Sequence, residues 1–104
     1  MDDWTQVGAR DAVDPDTPLA VEIGELKIGV YDVDGDLFAI DDICPHAHAH
    51  LTQGFTDGCE IECPLHNAVF DVTTGKHLRG EPCDDVRTFP VRVVAGRIEV
   101  QGRP

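Results

Sequence analysis

All four cysteines and all five histidines of this 104-residue chain lie between Asp42 and Asp85. No other feature limits the possible folds as sharply. The segment has few long apolar runs, so hydrophobic burial alone would not order it. It does gather soft thiolate and borderline imidazole donors, and such a segment is organised by a bound metal. The chain is long enough for one domain and too short for a second core. The expectation is a single domain over 1–104, with a metal-bound tip of about 42–85 inserted in a β base formed by 1–41 and 86–104. A deep catalytic cleft would need more chain. That leaves a carrier, a binding module or an enzyme of the smallest kind.

The flanking segments read as strands. Leu26, Ile28 and Val30 fall on one face, with Lys27 and Tyr31 on the other, and Asp34-Gly35 turns the chain into Leu37–Ile40. Phe89, Val91 and Val93 alternate with Thr88 and Arg92. Ala95-Gly96 then turns the chain, and Ile98 and Val100 return on the same pattern. Ten glycines and seven prolines cut the chain into short pieces, and no 3.6-residue period is sustained. The expected class is all-β, built from short antiparallel strands. Tyr31 and the phenylalanines are core candidates, and Trp4 is placed to anchor a terminal strand.

Two short donor pairs stand out: Cys44-Pro45-His46 and Cys63-Pro64-Leu65-His66, with sixteen residues between His46 and Cys63. Each supplies one thiolate and one imidazole from a tight loop. The order Cys, His, Cys, His differs from a zinc finger, in which two cysteines precede two histidines. It suits a dinuclear iron–sulfur cluster with two cysteines on one iron and two histidines on the other. A structural zinc site is the competing reading of the same donors. His48 and His50 lie in the same loop and read as solvated residues, and His77 reads as a surface residue in a turn. Cys59 and Cys83 read as small, partly buried thiols rather than ligands. Asp41-Asp42 and Asp84-Asp85 read as chance pairs in a chain with twenty acids.

The paired motif resembles the cluster motif of the Rieske family. The resemblance continues in Leu51 and Gly54 after the first loop, and in Phe70-Asp71 and Thr74-Gly75-Lys76 after the second. Pro82 is placed like the proline of a third loop that shields the cluster. Asn67 departs from the pattern, since glycine commonly follows the second ligand histidine; asparagine tolerates left-handed backbone, so the loop can still close. The likeness spans most of the chain and is strongest to the ferredoxin components of bacterial aromatic ring-hydroxylating dioxygenases. It implies the Rieske fold, an antiparallel β-sandwich base with a small cluster-binding subdomain of two ligand loops. It implies one Rieske [2Fe–2S] cluster, with Cys44 and Cys63 on the inner iron and His46 and His66 on the outer one. The implied function is single-electron carriage, with no catalytic residue of its own. Electrons would come from a flavoprotein ferredoxin reductase using NAD(P)H and go to a terminal Rieske oxygenase.

High-potential members of that family carry an extra cysteine in each ligand loop, and a serine and a tyrosine that bond to sulfur. Here the corresponding residues are Ala49, Leu65, Ala68 and Phe70. Missing donors leave negative charge on the sulfurs less stabilised, so a low potential is expected, roughly −150 mV. Two other readings remain: a small Rieske-like subunit of an assimilatory nitrite reductase, and a zinc-stabilised interaction module. The formal charge of −12 argues against nucleic acid and anionic membrane, and favours partners with a basic docking face. No apolar run approaches the roughly 20 residues of a membrane span, and the first residues lack the marks of a signal peptide. A cytoplasmic monomer is expected.

Overall fold

Two-residue turns set the strand pairing at both ends of the chain. In the computed structural model, which describes residues 4–45, 49–65 and 67–102, Asp34 and Gly35 have φ of 54° and 91°, and Ala95 and Gly96 have 51° and 77°. Both central residues are left-handed, and that backbone twist matches the twist of flanking antiparallel strands. The strands so joined are β3 (Leu26–Val33) with β4 (Asp36–Asp41), and β10 (Val91–Val94) with β11 (Arg97–Gln101). Arg10 ties the first hairpin back to the N-terminal segment, donating to Asp32 Oδ2 at 3.0 Å and to the Gly35 carbonyl at 3.3 Å.

The remaining strands are β1 (Trp4–Ala9), β2 (Leu19–Ile23), β5 (Phe55–Asp57), β6 (Glu60–Glu62), β7 (Val69–Asp71), β8 (His77–Arg79) and β9 (Thr88–Phe89). They form three antiparallel sheets, in the orders β1-β11-β10, β2-β3-β4-β9 and β5-β6-β7-β8. Trp4 begins β1, and the Arg92 guanidinium lies 4.1 Å from its ring centre.

The β2-β3-β4-β9 sheet is covered on both faces, and this divides the interior in two. Ile28, Val30 and Ala39 face a base core with Phe89, Ile98 and Val100. Tyr31 and Ile40 point the other way, into a second core that contains Cys44, Cys63 and Phe70. The alternation expected from Leu26 to Tyr31 therefore holds, but both faces are buried at Tyr31. The alternation expected from Phe89 holds through Val91, which packs on the base core between exposed Pro90 and Arg92, and breaks at Val93. At Pro90 the chain crosses from one sheet to the other, the Pro90 carbonyl accepting the Gln101 N–H at 2.9 Å. Val93 then lies on the edge strand β10, 45% exposed. Phe55, expected inside, is 66% exposed at the start of an edge strand.

The chain leaves the base sheet at Asp41 and rejoins it at Thr88, and a clasp joins these two points. Arg87 donates to the Asp41 carboxylate through its backbone N–H at 2.8 Å, Nε at 3.1 Å and Nη2 at 2.8 Å, while the Asp41 N–H reaches the Arg87 carbonyl at 3.0 Å. A left-handed alanine costs roughly 1–2 kcal/mol against a residue suited to that region. Ala95→Asn should therefore raise stability by about 0.5–1 kcal/mol in thermal or urea unfolding, because an Asn-Gly turn fits the observed φ values.

Candidate metal centre

The two cysteine loops are closed in the same way. The Cys44 N–H donates to the Ala49 carbonyl at 2.8 Å, and the Cys63 N–H donates to the Ala68 carbonyl at 2.9 Å. Each closure spans five residues, although the histidine stands two residues after the first cysteine and three after the second. A proline follows each cysteine, which biases the cysteine toward extended backbone and holds the outgoing chain at a fixed φ. Cys44 is 0% exposed and Cys63 is 1% exposed, and both line one core with the small side chains of Ala49 and Ala68. None of the four cysteines is in a disulfide. His46, His48 and His66 lie outside the described residues. Among the described residues no three Cys, His, Asp or Glu side chains gather into a metal site.

Two buried thiols in one apolar core, each entering a closed loop, fit the inner half of a cluster held by two thiolates and two imidazoles. Soft sulfur donors in an apolar surround are the expected seat for iron–sulfur chemistry. Ala68 and Phe70 are fully buried there and bring no hydroxyl.

The first loop also rests on a buried carboxylate that its sequence did not reveal. Asp42 is 1% exposed. Its side chain accepts from the Thr52 N–H at 2.8 Å and from Thr52 Oγ1 at 3.1 Å, and it meets His50 Nδ1 at 2.8 Å. Its carbonyl accepts the Leu51 N–H at 2.6 Å. Asp42 thus fastens the chain entering the loop to the chain leaving it. Adjacent residues at the end of a strand point to opposite sides, so Asp41 and Asp42 could not share one solvated face. That was the available signal. His50 is accordingly a bonded residue rather than the solvated one expected, with 42% of its side chain exposed. The Tyr31 hydroxyl is buried nearby without a hydrogen-bond partner, and burial, then the Asp42 charge, pushes its phenol far above its ordinary range.

His77 is also more deeply placed than expected. It opens β8 and its ring meets Phe70 edge-on at 5.7 Å, with Nε2 buried and unpaired. Cys59 and Cys83 are half-buried, and Cys83 packs against the cysteine core. Burial first, then the nearby Asp84 charge, pushes the Cys83 thiol up. Pro45 is exposed on the first cysteine loop and Leu65, at 69% exposure, on the second; Glu81, Asp84 and Asp85 are exposed on the loop that packs Cys83 against the cysteine core. A separate cleft of about 370 Å³, lined by residues such as Phe38, Val72, Thr88 and Val91, has no titratable side chain on its walls.

The chain is similar to known proteins over most of its length. The Rieske [2Fe-2S] domain family matches residues 3–90. The anthranilate 1,2-dioxygenase ferredoxin subunit of Burkholderia cepacia is 39% identical over 99 residues, covering 94% of this chain and 91% of that protein. A ferredoxin of Sphingomonas yanoikuyae B1 superposes with a TM-score of 0.87 at 34% identity, covering 96% of this chain and 98% of that one. A chain from a complex of oxygenase and ferredoxin in carbazole 1,9a-dioxygenase superposes with a TM-score of 0.88 at 35% identity, covering 96% and 94%. A nitrite reductase small subunit of Mycobacterium tuberculosis is more distant, at 26% identity and a TM-score of 0.80 over 93% and 92% of the chains.

The carboxylate network has measurable consequences. Asp42→Ala leaves the Thr52 N–H without its buried acceptor and should cost about 1–3 kcal/mol in urea unfolding. Tyr31→Phe removes a buried hydroxyl that has no partner, so it should leave stability unchanged or raise it by up to about 1 kcal/mol.

Proposed function

The chain belongs to the Rieske [2Fe–2S] domain family, and from that premise we propose that it shuttles single electrons from a flavoprotein reductase to a terminal aromatic ring-hydroxylating oxygenase. It is an electron carrier with one Rieske-type cluster, as its ferredoxin relatives are, and family membership displaces the zinc-stabilised alternative. Cys44, His46, Cys63 and His66 are the proposed ligands, on loops within an insert of about 42–85. The observation that carries the ligand assignment is the burial of Cys44 and Cys63 in one core, each in a loop closed five residues on. The cluster, when bound, supplies one-electron chemistry; the chain supplies the seat, the shielding and the docking surface.

The surface beside the loops suits brief encounters. Pro45 and Leu65 are exposed apolar residues on the two cysteine loops, and Glu81, Asp84 and Asp85 are exposed acids on the loop that carries Cys83. Contacts below about 1,200 Å² release quickly, as a shuttle requires. A net charge of −12 speeds approach to a basic partner, and salt weakens that attraction. No helix among the described residues is long and apolar enough to cross a membrane. The proposed setting is the cytoplasm, with the carrier as a monomer.

The protein environment supports a low potential. Ala68 and Phe70 offer no hydroxyl to sulfur, and Asp42 keeps a buried carboxylate two residues from Cys44. Each disfavours adding negative charge.

The shuttle is tested by mixing catalytic amounts of the protein with a flavoprotein ferredoxin reductase, NAD(P)H and a terminal Rieske oxygenase. Product formation should require the carrier, and its rate of reduction should fall as salt rises. A stable stoichiometric complex with a large catalytic subunit, and no turnover as a free carrier, would contradict it. In a potentiometric titration, Ala68→Ser and Phe70→Tyr should each raise the potential by about 20–65 mV, the one-electron equivalent of a typical hydrogen bond.

A further inference from the structure

We propose that Asn67 is a positioning residue that latches the loop running from Gly80 to Cys83 onto the second cysteine loop, so that Cys83 stays packed on the cysteine core. The inference rests on the reading above that Cys63 and His66 are ligands. It adds a role for the residue that departs from the family pattern.

The loop between β8 and β9 is pinned firmly at both ends. At its start, Arg79 pairs with Glu60, and Gly80 lies so close to the Asn67 carbonyl that a Cβ on Gly80 would stand 1.8 Å from that oxygen. Gly80 also has a φ of +87°, a conformation that favours glycine. At its end, the Asp85 carboxylate accepts the His77 N–H at 2.8 Å, and the Val86 N–H donates to the Gly75 carbonyl at 2.8 Å.

The middle of the loop is held from one side chain. The Glu81 N–H donates to Asn67 Oδ1 at 3.0 Å. Glu81, Pro82, Asp84 and Asp85 are exposed, whereas Cys83 turns inward and packs on the core that contains Cys44 and Cys63. One residue therefore touches the loop twice, through its carbonyl at Gly80 and its amide oxygen at Glu81. Asn67 directly follows His66 and precedes Ala68, whose carbonyl closes the Cys63 loop. Loosening this loop and loosening the ligand loop thus become one motion. A glycine at 67 would keep the backbone contact and lose the side-chain one.

Asn67→Ala removes the acceptor but leaves the backbone path intact. Asn67→Asp keeps an oxygen in the same place and adds a charge. Gly80→Ala forces the loop away from the Asn67 carbonyl. The test is hydrogen exchange on the purified protein, with the reduction potential and the rate of cluster loss to an iron chelator measured alongside. In Asn67→Ala, exchange at Glu81 should quicken about threefold to tenfold, as expected for one lost hydrogen bond. Cluster loss should quicken too, and the potential should rise, because water stabilises the more negative reduced state. Asn67→Asp should restore protection and retention but lower the potential, its charge opposing reduction. General destabilisation would not give those opposite signs. Gly80→Ala should behave like Asn67→Ala.

Unchanged exchange at Glu81 in Asn67→Ala overturns the latch, and so does failure of Asn67→Asp to restore it. If Gly80→Ala alone loosens the loop, the hold lies in the backbone and the proposal falls. Purified wild-type protein without iron and sulfide would instead count against the functional reading. The exchange experiment would still judge the latch.

Discussion

Two buried thiols brought together in one core are the constraint on which the rest of the structure turns. As ligands they would be thiolates in an apolar surround, short of solvation, and bound iron would supply the compensating positive charge. The closures from Cys44 to Ala49 and from Cys63 to Ala68 accompany nearly complete burial of both cysteines. Alanine at each closing point leaves space where a larger side chain would fill the core.

The base exists to hold those loops in register. A single sheet, β2-β3-β4-β9, serves two interiors, one closed by the terminal strands and one by the cysteine loops with the β5–β8 sheet. The Asp41–Arg87 clasp fixes where the chain departs and returns, and Asp42, one residue further on, fixes the first loop. Neighbouring aspartates thus divide the work, one joining insert to base and the other joining the two sides of a loop. Fully buried Ile40 lies in the same core as Cys44 and links the two layers mechanically.

Much of this was legible in the sequence because it rests on local rules. The two hairpins followed from period-2 patterns around Asp34-Gly35 and Ala95-Gly96, and the cysteine loops from the spacing of Cys, Pro and His. What the sequence hid was non-local. Asp42 looked like one more acid in an acidic chain, yet it is buried because Thr52 and His50, eight to ten residues on, supply its donors. His77 looked like a turn residue, but the turn ends before it and β8 carries its ring onto Phe70. Val93 fitted the strand period, but at Pro90 the chain had already crossed to a sheet edge. The roles of Asn67 and Gly80 depend on two segments meeting, which no local pattern encodes.

The central claim is a cluster with mixed cysteine and histidine ligation. It is tested most directly by electron paramagnetic resonance of the dithionite-reduced protein, prepared with and without histidine-selective ¹⁵N labelling. The account predicts a rhombic signal of low average g-value, with couplings from two histidine nitrogens that change on labelling. A signal without histidine coupling would contradict the ligand set, and a colourless, silent protein holding zinc would contradict electron carriage itself.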